Sequence, residues 1–329
     1  MRVGINGFGR IGRLAFRAGW NNPEIEFVHI NEIKGGVATA AHLLEFDSVH
    51  GRWHKNITVK EDKFILDGKT VTFSEHSTPQ QVPWADLGVD LVIESSGKFR
   101  TPETLNPYFE HGVKKVVVAA PVKEKALNIV VGVNDHLYNP EKHHLLTAAS
   151  CTTNCISPVI QVISNEFGIE NALMTTIHGY TSTQNLVDGP NKNLRRARAA
   201  AENIIPSTTG AAIATTKVID NLNNKFDGIA FRVPVPTGSV SDITMLVSND
   251  VSVEQINQVL INASNEDRFQ GILTTTTEAI VSTDIIGDYH SAIIDLELTK
   301  VVGRLVKVVA WYDNEWGYSN RLSEMVELI

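Results

Sequence analysis

The sequence of 329 residues holds two cysteines, four methionines and no apolar run of membrane-spanning length. Two cysteines cannot build a disulfide framework or a four-cysteine metal site. Without a long apolar run, no membrane insertion is expected. No apolar stretch precedes Arg2-Val3-Gly4-Ile5-Asn6-Gly7, so no secretory leader is expected either. A reducing cytoplasm, where a free thiol stays reduced, is the compartment that fits. Positive charge is the scarcer sign: 29 Lys and Arg stand against 37 Asp and Glu, for a net charge of −8. That balance argues against a nucleic-acid partner. Neither an internal repeat nor a low-complexity tract is visible. What is there is a globular composition, 43% hydrophobic and 20% charged, on a chain too long for one ordinary core. Two domains are expected.

The scarce cysteines lie together. Ala149-Ser150-Cys151-Thr152-Thr153-Asn154-Cys155 holds both, between the strand-like run Leu145-Leu146-Thr147-Ala148 and apolar residues at helical spacing over 156–167. A thiol at a strand-to-helix junction faces backbone N–H groups and the positive end of the helix, and both favour a thiolate. An inert core cysteine would not need this hydroxyl-rich collar. Cys151 is therefore the candidate nucleophile, and Cys155, one turn on, is assigned to packing.

Residues 2–6 read as a strand, followed by Gly7-Phe8-Gly9-Arg10-Ile11-Gly12, a helical segment over 13–20 and a second strand over 26–30. In that setting G-x-G-x-x-G is a dinucleotide fingerprint. Gly7 allows the tight turn, Gly9 lets the backbone approach a pyrophosphate, and Gly12 permits close packing. Arg10 and Ile11 stand at the helix N-terminus, which binds the phosphate charge. Glu32 follows 20 residues after Gly12. It would bond ribose hydroxyls and repel a 2′-phosphate, favouring NAD over NADP, with Lys34 leaving room for the latter. Ser96 and Gly97, just past the strand-like run 90–94, line the cofactor crevice. A helix is expected over 37–46, a hairpin over 56–73 about Asp67-Gly68, and short strands over 115–118, 129–131 and 145–147. This half, residues 1–150, reads as an α/β Rossmann-type dinucleotide-binding domain with a mostly parallel sheet.

The second half changes rhythm. A strand over 174–177 ends at His178, and a loop over 188–193 leads into Leu194-Arg195-Arg196-Ala197-Arg198. A helix is expected from Gly210 to Leu222, and strands over 229–235, 240–247, 292–298 and 305–311. Ser252 and Gln255 form a capping box. Residues 151–314 read as an α+β catalytic domain with a mainly antiparallel sheet. A C-terminal helix, about 315–329, is expected to pack back on the first domain. Among 11 histidines, position favours His178 as the base for Cys151, with His50, His136, His143 and His144 as alternatives. Thr181, Thr183, Thr208, Thr209 and Gly210 offer hydroxyls and amides to phosphates, and Arg232 a charge-assisted contact. The basic run Lys192, Arg195, Arg196 and Arg198 reads as a loop at a subunit interface or beside the cofactor, with a nucleic-acid surface as the alternative.

Several landmarks then line up in order. They are Ile5-Asn6-Gly7-Phe8-Gly9-Arg10-Ile11-Gly12-Arg13, the Ala149–Cys155 stretch, Asn203-Ile204-Ile205-Pro206 through Thr209-Gly210-Ala211-Ala212, Arg232-Val233-Pro234, and Trp311-Tyr312-Asp313-Asn314-Glu315. With them the chain resembles the glyceraldehyde-3-phosphate dehydrogenases along nearly its whole length. The resemblance implies Cys151 as nucleophile, His178 as base and NAD as cofactor. It puts Thr181 and Arg232 on the C3 phosphate of glyceraldehyde 3-phosphate. Ser150, Thr152, Thr209 and Gly210 would hold the attacking inorganic phosphate, and Asn314 the nicotinamide carboxamide. A homotetramer is implied as well.

The family usually has Asp where Glu32 stands, so the ribose contact is expected to shift. Ala119 and Ala120 replace a hydroxyl that relatives often carry before the proline. Residues 43–53, with Val133-Asn134-Asp135-His136-Leu137, are similar to the branch encoded in bacterial arsenic-resistance clusters. There arsenate would be the attacking anion, and 1-arseno-3-phosphoglycerate would be exported by a partner transporter. An erythrose-4-phosphate dehydrogenase, in which water replaces phosphate, is the alternative enzyme.

Overall fold

Val3 and Ile5, both without exposed surface, sit at the centre of the first sheet. The computed structural model describes residues 1–219 and 222–329 and divides into two units. The first comprises Met1–Ile129, His136–Ala149 and Ser319–Ile329; the second comprises Val130–Asp135 and Ser150–Tyr318.

In chain order the strands of the first sheet are β1 (Arg2–Asn6), β2 (Glu26–Asn31), β3 (Ile57–Lys60), β4 (Lys63–Leu66), β5 (Lys69–Ser74), β6 (Leu91–Glu94), β7 (Lys115–Val118), β8 (Leu127–Asn128) and β9 (Leu145–Thr147). Across the sheet they run β3-β4-β5-β2-β1-β6-β7-β9-β8. Pairing is parallel except at β3–β4 and β4–β5. The mostly parallel Rossmann-type sheet is what the sequence predicts. Strands buried on both faces need unbroken apolar runs, which Leu91-Val92-Ile93 and Val116-Val117-Val118 supply. Helices α1 (Arg10–Gly19), α2 (Gly36–Glu45) and α3 (Pro102–Glu110) belong to this unit. On α3, Leu105 and Tyr108 enter a core with Trp84, Val92 and Val116.

Three local expectations change here. Helix α1 begins at Arg10 rather than Arg13, because Gly9 is already its N-cap. The alternating stretch over 56–73 forms three strands, not one hairpin. A second left-handed turn at Glu61 (φ 54°) joins the one at Asp67 and Gly68 (φ 48° and 82°). The strand expected over 129–131 does not form. Strand β8 stops at Asn128, and the Asn134 side chain accepts the Val130 N–H at 2.8 Å, which winds the following residues into a turn.

The second sheet holds β10 (Ile169–Gly179), β11 (Ile205–Thr208), β12 (Phe226–Val233), β13 (Ser239–Val247), β14 (Leu273–Thr276), β15 (Ala292–Asp295), β16 (Lys300–Val302) and β17 (Leu305–Tyr312). Its order is β11-β12-β10-β13-β17-β15-β14, with β16 on β17. Only β10–β12 and β14–β15 pair in parallel, so the sheet is mainly antiparallel, as expected. Along β13 burial alternates residue by residue, the mark of a sheet with one covered face. Helix α4 (Cys151–Phe167) packs on β13, β15 and β17.

Helices α5 (Ala211–Thr216), α6 (Val253–Ser264) and α7 (Trp316–Leu328) complete the elements. The capping box at Ser252 and Gln255 is formed. Residues 292–298 do not make one strand: β15 ends at Asp295, and Leu296–Leu298 is a 3₁₀ turn. Helix α5 stops at Thr216, whose hydroxyl donates back to the Ile213 carbonyl, a bond that competes with the helical ladder. The expected continuation to Leu222 crosses Asp220 and Asn221, which lie outside the described residues. Among the described residues, no helix is long and apolar enough to cross a membrane.

Candidate active site

The glycine motif separates into structural and ligand-facing positions. Gly7 has φ +89°, and a Cβ there would stand 2.4 Å from the Ser96 Cα. A Cβ on Gly9 would meet nothing within 4 Å among the described residues. The backbone at Gly9 is thus open on the side where a ligand would come. The N-cap of α1 is Gly9, which brings no side chain to the first turn of the helix. A cleft of about 210 Å³ is lined by Asn6, Gly7, Glu32, Ser77, Ser96 and Phe99, among others. These residues fit a dinucleotide.

Glu32 does more than the sequence suggests. Its Oε2 accepts the Phe8 N–H at 2.7 Å, so one carboxylate oxygen holds the glycine loop. The Arg10 side chain pairs with Asp47. Burial opposes ionisation of Asp47, but the His50 N–H, Arg10 and the Val49 N–H bring its carboxyl down to about 2. The Ser96 N–H and hydroxyl both donate to the buried Glu94, whose other oxygen accepts from Asn6 at 2.7 Å and from the Tyr108 hydroxyl. Gly97 follows with φ +70°.

In the second unit, Cys151 is the first residue of α4 and Ser150 is its N-cap, accepting the Thr153 N–H at 3.1 Å. Cys151 Sγ stands 3.5 Å from Nε2 of His178. Strand β10 delivers His178 from its last turn of sheet, where the residue pairs in register with Arg232 of β12. His178 is 4% exposed. Burial and the Arg232 charge pull its pKa down to about 3, against the Gly179 carbonyl and Glu315. The ring is therefore neutral at physiological pH.

The helix terminus does not act on the Cys151 thiol alone. Burial pushes the Cys151 thiol up, and this outweighs Arg232, the Thr152 hydroxyl and the N–H groups of Thr152 and Cys151, all of which act downward. Cys155 is fully buried, and its thiol is pushed far above the ordinary range.

Of the hydroxyl and cationic candidates, Arg232 reaches the pair directly, its Nη1 standing 2.6 Å from Nδ1 of His178, and the others are described by their own partners. Thr181 and Thr183 share a hydrogen bond of 2.9 Å between their hydroxyls. Thr209 Oγ1 accepts the Ala211 N–H at 3.2 Å, with Gly210 as the N-cap of α5. Thr152 is 5% exposed, and its hydroxyl is bonded to the Tyr312 hydroxyl at 2.9 Å, so it supports the site from inside. Asn314, 5% exposed, accepts from Ser239 at 2.8 Å and Thr237 at 3.3 Å through Oδ1. Arg232 Nε and Gln184 Nε2 are buried without a hydrogen-bond partner among the described residues. Buried donors of that kind are costly unless a ligand satisfies them.

Several contributors escaped the sequence reading. Arg196, read there as part of an interface or cofactor-side loop, donates to Ser207 at 2.8 and 3.1 Å and to Thr183 at 3.4 Å, and its charge is felt by Arg232. Tyr312 bonds both Thr152 and Thr176 and lies edge-on to His178 at 6.0 Å. Tyr312 stands within a quoted landmark, but nothing in spacing alone marks its hydroxyl. A cavity of this unit, about 880 Å³, is lined by Leu173, Ile213 and Phe226, among others, and by none of these groups. No candidate residue lines it.

Comparison with known proteins agrees with both halves. Residues 1–102 match the family model for the NAD binding domain of glyceraldehyde 3-phosphate dehydrogenase, and residues 150–314 match that for its C-terminal domain. Glyceraldehyde-3-phosphate dehydrogenase 3 of Nostoc sp. is 56% identical, covering 100% of this chain and 98% of that protein. Glyceraldehyde-3-phosphate dehydrogenases of Streptomyces coelicolor and Geobacillus stearothermophilus are 48% and 45% identical over the same shares. The chain belongs to the glyceraldehyde-3-phosphate dehydrogenase family.

Proposed function

We propose that this chain oxidises glyceraldehyde 3-phosphate with NAD and transfers the acyl group to inorganic phosphate. The observation that carries the reading is the 3.5 Å approach of Cys151 Sγ to His178 Nε2, with the Arg232 guanidinium against the other ring nitrogen. Bound NAD supplies the hydride acceptor. Gly7, Gly9, Gly12 and the backbone of Arg10 and Ile11 would hold its pyrophosphate, Glu32 a ribose, Ser96 and Gly97 the crevice wall, and Asn314 the carboxamide.

Cys151 passes its thiol proton to His178 Nε2 and adds to the aldehyde carbon, and His178 returns that proton to the new oxyanion, giving the thiohemiacetal. Its oxygen is stabilised by the Cys151 N–H and by His178. His178 then takes the hydroxyl proton through Nε2 as the carbon is oxidised to the thioester. Attack by phosphate on the thioester carbonyl expels the Cys151 thiolate and releases the acyl phosphate, which conserves the free energy of oxidation. Arg232 and Thr181, with Thr183, would grip the C3 phosphate. Ser150, Thr152, Thr209 and Gly210 would place the attacking anion, with Thr152 acting through the groups it orients.

Residues 1–150 would serve as the cofactor domain, completed by the C-terminal helix, and 151–314 as the catalytic domain. A homotetramer in the cytoplasm fits the family resemblance. Arsenate is a tetrahedral oxyanion like phosphate and could use the same donors. In the arsenic-resistance reading a membrane transporter would then remove 1-arseno-3-phosphoglycerate. The test is NAD reduction by glyceraldehyde 3-phosphate with phosphate, arsenate or neither. No reduction under any of the three conditions would overturn the assignment.

A further inference from the structure

Nδ1 of His178 stands 2.7 Å from the Gly179 carbonyl oxygen and 2.6 Å from Nη1 of Arg232. These two contacts exclude one another. Towards the carbonyl, Nδ1 must carry a proton and donate it. Towards the guanidinium, which has donors only, Nδ1 must be unprotonated and accept. A doubly protonated ring is no escape, since it too donates at Nδ1, and burial with the Arg232 charge keeps the ring neutral. Because a neutral ring holds one proton, the choice made at Nδ1 fixes what Nε2 offers to the sulfur.

Arg232 has other outlets for its donors. Nη1 also reaches the Gly179 carbonyl at 3.0 Å, and Nε is buried without a partner among the described residues. The charge of Arg196 presses on the same guanidinium. An oxyanion would relieve both the repulsion and the unmet N–H.

We propose that Arg232 is a positioning residue that sets the tautomer of His178, and that capture of an oxyanion by Arg232 switches it. The proposal rests on the reading of Arg232 as an anion ligand. Without an anion, Arg232 donates to Nδ1, so the proton sits on Nε2 and is donated towards Cys151. In that state the ring steadies a thiolate but cannot act as a base. With an oxyanion bound, the Arg232 donors turn to it. Nδ1 then takes up a proton and donates to Gly179, and Nε2 becomes the acceptor that oxidation of the thiohemiacetal requires. One proton leaves Nε2 and one joins Nδ1, both exchanged with water, and the ring stays neutral. The substrate's phosphate thus acts on the base as well as on affinity, so removing it lowers turnover and not KM alone.

The experiment uses the full-length protein carrying ring-¹⁵N histidine, titrated with inorganic phosphate. The His178 signal is identified by its loss in His178→Gln, and phosphate binding is followed by calorimetry on the same samples. The expected result is a protonated Nε2 without phosphate and a protonated Nδ1 with it. In Arg232→Gln the ring should be protonated at Nδ1 throughout.

A parallel arm measures single-turnover NAD reduction by unphosphorylated glyceraldehyde. Added phosphate should raise that rate about tenfold or more in the wild type and leave Arg232→Gln unchanged. Phosphate that binds while the wild-type tautomer stays fixed overturns the proposal and leaves the anion-site reading standing. An equal tautomer change in Arg232→Gln also overturns it. Absence of phosphate binding overturns both.

Discussion

Cys151 and Cys155 lie one helical turn apart and meet opposite surroundings. The first faces His178 and Arg232, while the second is walled in with no charged partner to lower its pKa. Cys151→Ser is expected to lower NAD reduction by at least about 10³-fold, and Cys155→Ser to keep most of it. Equal losses measured for the two variants would sink this division. Because burial raises the Cys151 thiol and the Arg232 charge opposes that rise, Arg232→Gln should move the pH profile of Cys151 alkylation by iodoacetamide to higher pH.

Two buried histidines make a different prediction. His178 and His29 titrate near 3 and 4 in the folded chain, against 6.5 unfolded, because burial penalises the charged ring. Between those values the unfolded chain binds protons that the native chain refuses. The stability these rings contribute is therefore complete above pH 6.5 and lost as pH falls towards 3. Urea midpoints measured from pH 7 to pH 4 should fall, and His29→Asn should flatten the slope. An unchanged slope in the variant would remove His29 from the account.

At the scale of elements, the turn from β1 into α1 carries the sharpest contrast. Gly7 is required by the protein itself, since any side chain there adopts a left-handed backbone and meets Ser96. Gly7→Ala should cost more than about 1 kcal/mol of stability. Gly9→Ala meets no protein atom and should leave the melting temperature unchanged, while weakening NAD binding about tenfold or more, roughly 1.4 kcal/mol. Calorimetry of both variants checks this, and a Gly9→Ala protein with wild-type affinity would refute the loop assignment. Glu32→Asp should also weaken NAD, because the shorter side chain gives up either the Phe8 N–H or the ribose.

These elements differ in how far they could be read in advance. Sheet type and order of domains were legible because unbroken apolar runs and alternating ones have different periods. The junctions that carry the two candidates were legible in the spacing: Cys151 begins α4, and His178 stands one residue before the end of β10. The end of β8, the stop of α5 and the place of Arg196 were not legible. Each depends on a side chain reaching beyond its own run: Asn134 to Val130, Thr216 to Ile213, and Arg196 to Ser207 on β11. Spacing along a chain does not record such partners. The burial that opposes the helix terminus at Cys151 was not legible for a related reason, since helix polarity is local while burial is set by everything around it.

At the scale of the whole molecule, the second unit leaves apolar side chains in the open. Leu173 is 65% exposed, Ile213 59% and Leu305 47%, and all three line the 880 Å³ cavity. Exposed apolar side chains grouped in this way are what a partner subunit would cover. The homotetramer proposed above is checked by light scattering, in which Leu173→Lys should shift the distribution to smaller species without changing the far-ultraviolet circular dichroism. A wild-type monomer at micromolar concentration would rule the assembly out. The placement of the two cysteines reaches this scale as well. With Cys155 sealed and Cys151 partly open, the unaltered chain has one address for a thiol-reactive dye. Dye bound per chain would count working centres directly, so the native protein can calibrate its own active fraction without a single engineered label.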